Sequence, residues 1–137
     1  MTLVLDASIT IAWFFADERT EAAHAVMRRV VTDGAIVPSL WRLEVANVLR
    51  NAVRRGRCNE TYVDRSLARF ARLTIRRDEE TDDHAWSATR KLARKEDLSL
   101  HDAAYLELAL RKRMALASCD KALLAAAARR KVDVFAA

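Results

Sequence analysis

Residues 2–8 read TLVLDAS: a short apolar run, Leu3-Val4-Leu5, stopped by Asp6 and followed by Ala7-Ser8. A run of that length reads as a buried strand. Residues 9–15 are apolar apart from Thr10 and predict a buried helix. A strand feeding directly into a helix is the first half of a βαβ unit. In open α/β sheets the ligand crevice lies outside the carboxyl ends of the strands. Asp6 falls at such an end, so the rest of the chain is read for other carboxylates that arrive there.

The pattern continues in order. Residues 21–31 carry Ala22, Ala23, Val26, Met27 and Val30 at helical spacing. Asp33-Gly34 predicts a turn, 35–37 a second strand stopped by Pro38, and Ser39 the N-cap of a long helix ended by Gly56. Further helices are expected over 60–71, 78–94, 100–112 and 120–130, with strands at 73–75, 114–117 and 132–135. Residues 17–20 are expected to break the first helix. Strands that alternate with helices predict a parallel sheet covered on both faces.

The chain has 137 residues, 52% of them hydrophobic, with 2 Gly and 1 Pro. One domain over 1–137 with its own core is expected, without a flexible linker. The longest uncharged apolar stretch, near residues 9–16, is far short of the roughly 20 residues that span a bilayer. The start lacks a basic n-region, so no signal peptide and no membrane partner are expected. Cys58 and Cys119 form neither a CxxC pair nor a zinc spacing, which fits free thiols in a reducing cytoplasm. A net charge of +5 admits a polyanionic partner such as nucleic acid, or only solubility.

Three more acids stand out by position. Glu44 lies one turn into the Ser39 helix, in VPSLWRLEVANVL; Asp102 opens the buried helix, in LSLHDAAYLELAL; and Asp120 follows a strand in LASCDKALL. Each has a local explanation. Asp6 and Asp120 are placed to cap helices, Asp102 follows Ser99 at capping-box spacing, and Glu44 shares a face with Asn47 and Asn51. Capping gives no reason for Glu44 inside a helix in such apolar surroundings. Four acids at one edge repel unless a cation sits among them, and hard divalent ions are what oxygen ligands hold. His24, His84 and His101 have no metal-ligand spacing, no Ser or Cys sits in a nucleophile elbow, and two isolated glycines exclude GxGxxG and P-loop phosphate cradles.

In this order, VLDAS, VPSLWRLEVANVL, LSLHDAAYLELAL and LASCDKALL resemble the motifs of PIN-domain ribonucleases, and more narrowly those of VapC toxins from bacterial toxin–antitoxin pairs. The resemblance runs from Leu3 nearly to the C-terminus. It implies a PIN-like, Rossmann-like α/β sandwich on a five-stranded parallel sheet. It implies Mg²⁺- or Mn²⁺-dependent hydrolysis of RNA in the cytoplasm. Asp6, Glu44, Asp102 and Asp120 would be the catalytic acids, with Asp6, Asp102 and Asp120 as metal ligands. Ser8, Asn47 and Ser118 fall on supporting positions, and Arg42 is the candidate for holding the phosphate backbone. The implied partners are RNA, a cognate antitoxin and a second copy of the chain, in a homodimer and a toxin–antitoxin hetero-oligomer. Trp13 and Trp41, on helices flanking the expected site, are either antitoxin anchors or core residues. Two other classes compete, besides a PIN nuclease of RNA processing. A receiver-like signalling domain needs paired acids after the first strand, which Asp6-Ala7 lacks. A non-catalytic RNA-binding module leaves the four acids unexplained.

Overall fold

The computed structural model describes residues 1–18 and 20–137; the expected helix break at 17–20 therefore falls partly outside the described residues, at Arg19. The chain runs β1 (Leu3–Leu5), α1 (Ala7–Phe14), a 3₁₀ turn (Ala16–Glu18), α2 (Glu21–Asp33), β2 (Ala35–Val37), α3 (Trp41–Arg54), α4 (Glu60–Phe70) and β3 (Ile75–Arg77). It continues through α5 (Thr81–His84), a π-helical turn (Ala85–Thr89), α6 (Arg90–Glu96), α7 (Leu100–Lys112), β4 (Leu116–Ser118), α8 (Lys121–Arg129) and β5 (Val134–Ala136). The five strands among the described residues pair in parallel in the order β3-β2-β1-β4-β5. This is the α/β architecture expected from the alternating pattern.

The sheet explains its own composition. The three inner strands are buried on both faces and are apolar but for Ser118. The two edge strands, β3 and β5, keep exposed positions and tolerate Arg76 and Arg77. That tolerance shifts β3 to Ile75–Arg77, two residues beyond the expected strand at 73–75. Strands β4 and β5 are likewise displaced toward the C-terminus, to Leu116–Ser118 and Val134–Ala136.

Two helix starts differ from expectation. Ser39 does not cap α3. The Trp41 N–H donates to the Pro38 carbonyl at 3.1 Å, so a turn precedes the helix, and the Ser39 hydroxyl donates instead to Asp82 Oδ1 at 3.0 Å. Asp78 does not open the next helix. Its N–H still follows the sheet, donating to the Val37 carbonyl at 2.8 Å, and the helical run starts at Thr81. The Asp78 carboxylate is buried against Arg111, whose two terminal nitrogens lie 2.6 and 3.1 Å from its two oxygens. Arg111 also holds Glu107, at 2.8 Å.

The two tryptophans suggested as partner anchors are core residues. Trp13 and Trp41 are 6% and 7% exposed, because α1 is covered on nearly every side and Trp41 turns inward at the start of α3. Trp13 Nε1 donates to the Ala23 carbonyl at 2.9 Å. The exposed tryptophan is Trp86, on the π-helical turn. No helix among the described residues is long and apolar enough to cross a membrane.

Candidate active site

Asp6 follows the last residue of β1 and Ser118 ends the neighbouring β4. The register pairs Leu5 with Ala117, so Asp6 and Ser118 come next on adjacent strands. The Asp6 N–H continues the ladder to the Ala117 carbonyl at 3.0 Å. Two hydroxyls converge on Asp6 Oδ2: Ser118 Oγ donates at 2.6 Å and Ser8 Oγ at 2.7 Å. Each serine is fixed from behind, since Ser118 Oγ accepts from the Asp120 N–H and Ser8 Oγ from the Cys119 N–H, both at 2.9 Å. The carboxylate makes no cap bond to α1. Asp6 is buried and oriented by its neighbours rather than spent on a helix end.

Asp120 caps α8, its Oδ1 accepting from the Leu123 N–H at 2.9 Å. The capping account thus holds for one oxygen of Asp120. At α7 the cap is Ser99, whose Oγ accepts from the Asp102 N–H at 3.1 Å. Glu44, half-buried on α3, accepts a hydrogen bond from the Tyr105 hydroxyl. Tyr105 is fully buried on α7, one turn after Asp102.

The acids sense one another. Burial pushes the Asp6 carboxyl above its ordinary value, the Ser118 and Ser8 hydroxyls pull it back, and the Asp120 charge raises it again. Burial raises Asp102 as well, with Asp120 and Asp6 adding to the shift. Glu44 is raised by burial, lowered by Tyr105, and raised by Asp6 and Asp102. His101, exposed beside Asp102, pulls both Glu44 and Asp102 down. Four segments far apart in sequence thus bring their carboxylates within electrostatic reach of one another. The side chains do not converge tightly: among the described residues, no three His, Cys, Asp or Glu stand close enough to hold one ion.

The remaining expected positions divide. Ser8 and Ser118 lie inside the hydrogen-bonded group. Asn47 is exposed on α3, one turn past Glu44. Arg42 is exposed and lines a hollow beside β3 whose wall includes none of the four acids. Tyr105 was not singled out by the sequence, although its spacing from Asp102 places both on one helical face.

The sequence matches the PIN-domain family over residues 3–129. The chain belongs to the PIN-domain family. Solved structures that resemble this PIN domain include PAE2754 from Pyrobaculum aerophilum, at 23% identity and TM-score 0.68, covering 92% of this chain and 84% of that one. A second is VapBC2 from Rickettsia felis bound to a DNA fragment from their promoter, at 14% identity and TM-score 0.62, covering 98% and 97%. A third is FitAcB from Neisseria gonorrhoeae, at 17% identity and TM-score 0.56, covering 98% and 96%. At these identities the likeness is one of fold. No curated protein sequence matches the chain.

Proposed function

We propose that this PIN domain is a divalent-metal-dependent endoribonuclease. The observation that supports the reading is that Asp6, Glu44, Asp102 and Asp120 lie near enough for each to shift, or be shifted by, another. The donor set is all oxygen, which suits Mg²⁺ or Mn²⁺ and not a thiolate- or imidazole-seeking metal. Asp6, Asp102 and Asp120 would hold the ion, which would draw together carboxylates that otherwise repel. When bound it supplies Lewis-acid charge, making water more acidic and offsetting negative charge on a phosphodiester.

The chain's own residues set the rest. Ser8 and Ser118 fix Asp6 in one orientation, so a ligand oxygen is preplaced. Tyr105 fixes Glu44, which would orient the attacking water. The summed negative charge of the four acids would repel phosphate until a cation is present, which would tie substrate entry to metal loading.

We also infer that the chain is the toxic half of a cytoplasmic toxin–antitoxin pair, silenced by a cognate antitoxin and assembled with a second copy of itself. The support is the VapC-like order of motifs and the likeness in fold to the VapBC2 and FitAcB structures. The test has two arms. Purified protein is assayed on RNA with and without Mg²⁺ or Mn²⁺, beside Asp6→Asn and Asp102→Asn. Wild-type rates in both variants would overturn the site. Expression in a heterologous bacterium should arrest growth, with relief by Asp6→Asn and by the neighbouring small open reading frame. Harmless expression of an enzyme active in vitro would overturn the toxin reading and leave a PIN nuclease of RNA processing.

A further inference from the structure

Edge strand β3 presents Arg76 and Arg77 to solvent. With Arg42 of α3 and Lys112, the last residue of α7, they line a hollow of about 670 Å³. Its acids are Asp78, Glu79 and Glu80. Asp78 is committed to Arg111, and Glu80 stands 3.7 Å from the same guanidinium. The four cations have no hydrogen-bonded or ionic partner among the described residues, so their charge faces only Glu79 as an uncommitted acid. Basic residues on an edge strand are one way to block pairing with another sheet. That accounts for Arg76 and Arg77 but not for Arg42 and Lys112, which two separate helices deliver to the same place.

The hollow and the acids belong to the same sheet and share two helices, α3 and α7. Val4, Ile36 and Arg76 share one row across the sheet, so Arg76 is two strands, about 10 Å, from β1. Asp6 is two residues beyond Val4 on β1's course. Helix α7 links the two places directly: Asp102 is near its start and Lys112 ends it, about 15 Å further on. Helix α3 carries both Arg42 and Glu44, two positions apart and so on nearly opposite faces.

We propose that Arg42, Arg76, Arg77 and Lys112 grip phosphates of the RNA strand that flank the one being cut. The proposal rests on the reading of the acid cleft as an RNA-cleaving site. Planar guanidinium groups match two phosphate oxygens at once, and such backbone contacts position a strand without reading its bases. The strand's surplus charge would be met here by cations, while the four acids stay free for metal. Helix α7 therefore carries a metal-site candidate near its start and a phosphate contact at its end, about 15 Å apart along its axis.

The test uses the triple variant Arg76→Gln, Arg77→Gln, Lys112→Gln, with Arg90→Gln, Lys91→Gln, Arg94→Gln on α6 as a control that removes the same charge. Both sets are exposed. RNA binding is measured against salt in an Asp6→Asn background, where no strand is cut. Removing one cation from a phosphate lowers the slope of log affinity against log salt by about 0.7 for a single strand. The expected result is a slope smaller by about two, at that value per cation, for the β3 variant, and little change for the control. In the active protein KM for a long RNA should rise with kcat preserved. Arg42→Gln alone repeats the measurement at one cation, whatever the folding of the triple variant. An unchanged slope, or an equal fall in the control, overturns the proposal. RNA binding that responds as expected in a protein that never cuts RNA upholds the hollow and removes the nuclease reading.

Discussion

Tyr105, in the middle of α7, donates a hydrogen bond from its hydroxyl to Glu44 on α3, joining the two helices that carry Asp102 and Glu44. The ring is fully buried, and the bond both orients the Glu44 carboxylate and opposes the rise that burial imposes on it. Tyr105→Phe keeps the packing and removes only the donor. The expected stability loss is about 1 kcal/mol, larger if Glu44 stays ionised without a partner. RNA cleavage should fall about tenfold or more, the range for misplacing a group that positions a reactant. Wild-type cleavage by a folded Tyr105→Phe protein would show that Glu44 needs no such support.

The acid cluster predicts opposite effects of one substitution on folding and activity. Asp102→Asn removes a charge that Asp6 and Asp120 repel. The metal-free protein should melt higher than wild type in EDTA while RNA cleavage falls by orders of magnitude. Millimolar Mn²⁺ should raise the wild-type melting temperature, by about 2.7 kcal/mol of stability at a hundred times Kd, and raise the variant less. Identical wild-type melting curves in EDTA and Mn²⁺ would count against a site able to bind metal.

The buried ion pair under β3 predicts acid sensitivity. Burial alone would raise the Asp78 carboxyl, but hydrogen bonds from Arg111 and Thr81 more than offset it and hold the group below its ordinary 3.8. A depressed carboxyl means the unfolded chain binds the proton more tightly. Its stabilising contribution is therefore complete above about pH 4–5 and is lost as pH falls through 3.8 toward the folded value. Asp78→Asn should flatten that part of a stability–pH curve. Arg111→Met should be the worse change, costing about 3–5 kcal/mol, because Asp78 and Glu107 are left buried without their cation.

Two glycines separate backbone freedom from space. Both have positive φ, +77° at Gly34 and +75° at Gly56. A Cβ on Gly34 would meet the Thr74 carbonyl oxygen at 3.0 Å, and that carbonyl accepts the Ala35 N–H that starts β2. A Cβ on Gly56 meets nothing within 4 Å. Gly56→Ala should cost about 1–2 kcal/mol from conformation alone. Gly34→Ala should cost more, read as a larger drop in denaturation midpoint. Equal drops would mean that the Thr74 carbonyl moves aside freely.

The inner strands were legible in the sequence because burial on both faces leaves an unbroken apolar run, and Asp6, the first polar residue after β1, marks that strand's end. The edges were harder. Strand β3 contains two arginines, which look like loop until β2 supplies its partner. Asp78 resembled a residue of a helix's first turn, because nothing local shows that Arg111, thirty-three residues later, claims it. Tyr105 looked like one more core residue of α7. The sequence left Trp13 and Trp41 as either partner anchors or core residues, and the structure decides for the core because α1 is wrapped on nearly all sides. Arg42 was recognisable as a basic residue near Glu44, but two positions along a helix point almost oppositely, so its neighbours come from β3 and α7.

The uneven burial of the three tryptophans gives the protein built-in optical reporters. Two indoles sit in the core, close to α2 and α3, and the third, Trp86, is 90% exposed on the π-helical turn. A water-soluble quencher such as iodide should reach only Trp86 in the native state and all three after denaturation. Trp86→Phe should therefore yield a variant whose emission is blue-shifted and nearly unquenchable until it unfolds. Its remaining signal would report loosening of the core beneath the acid cleft without any added label.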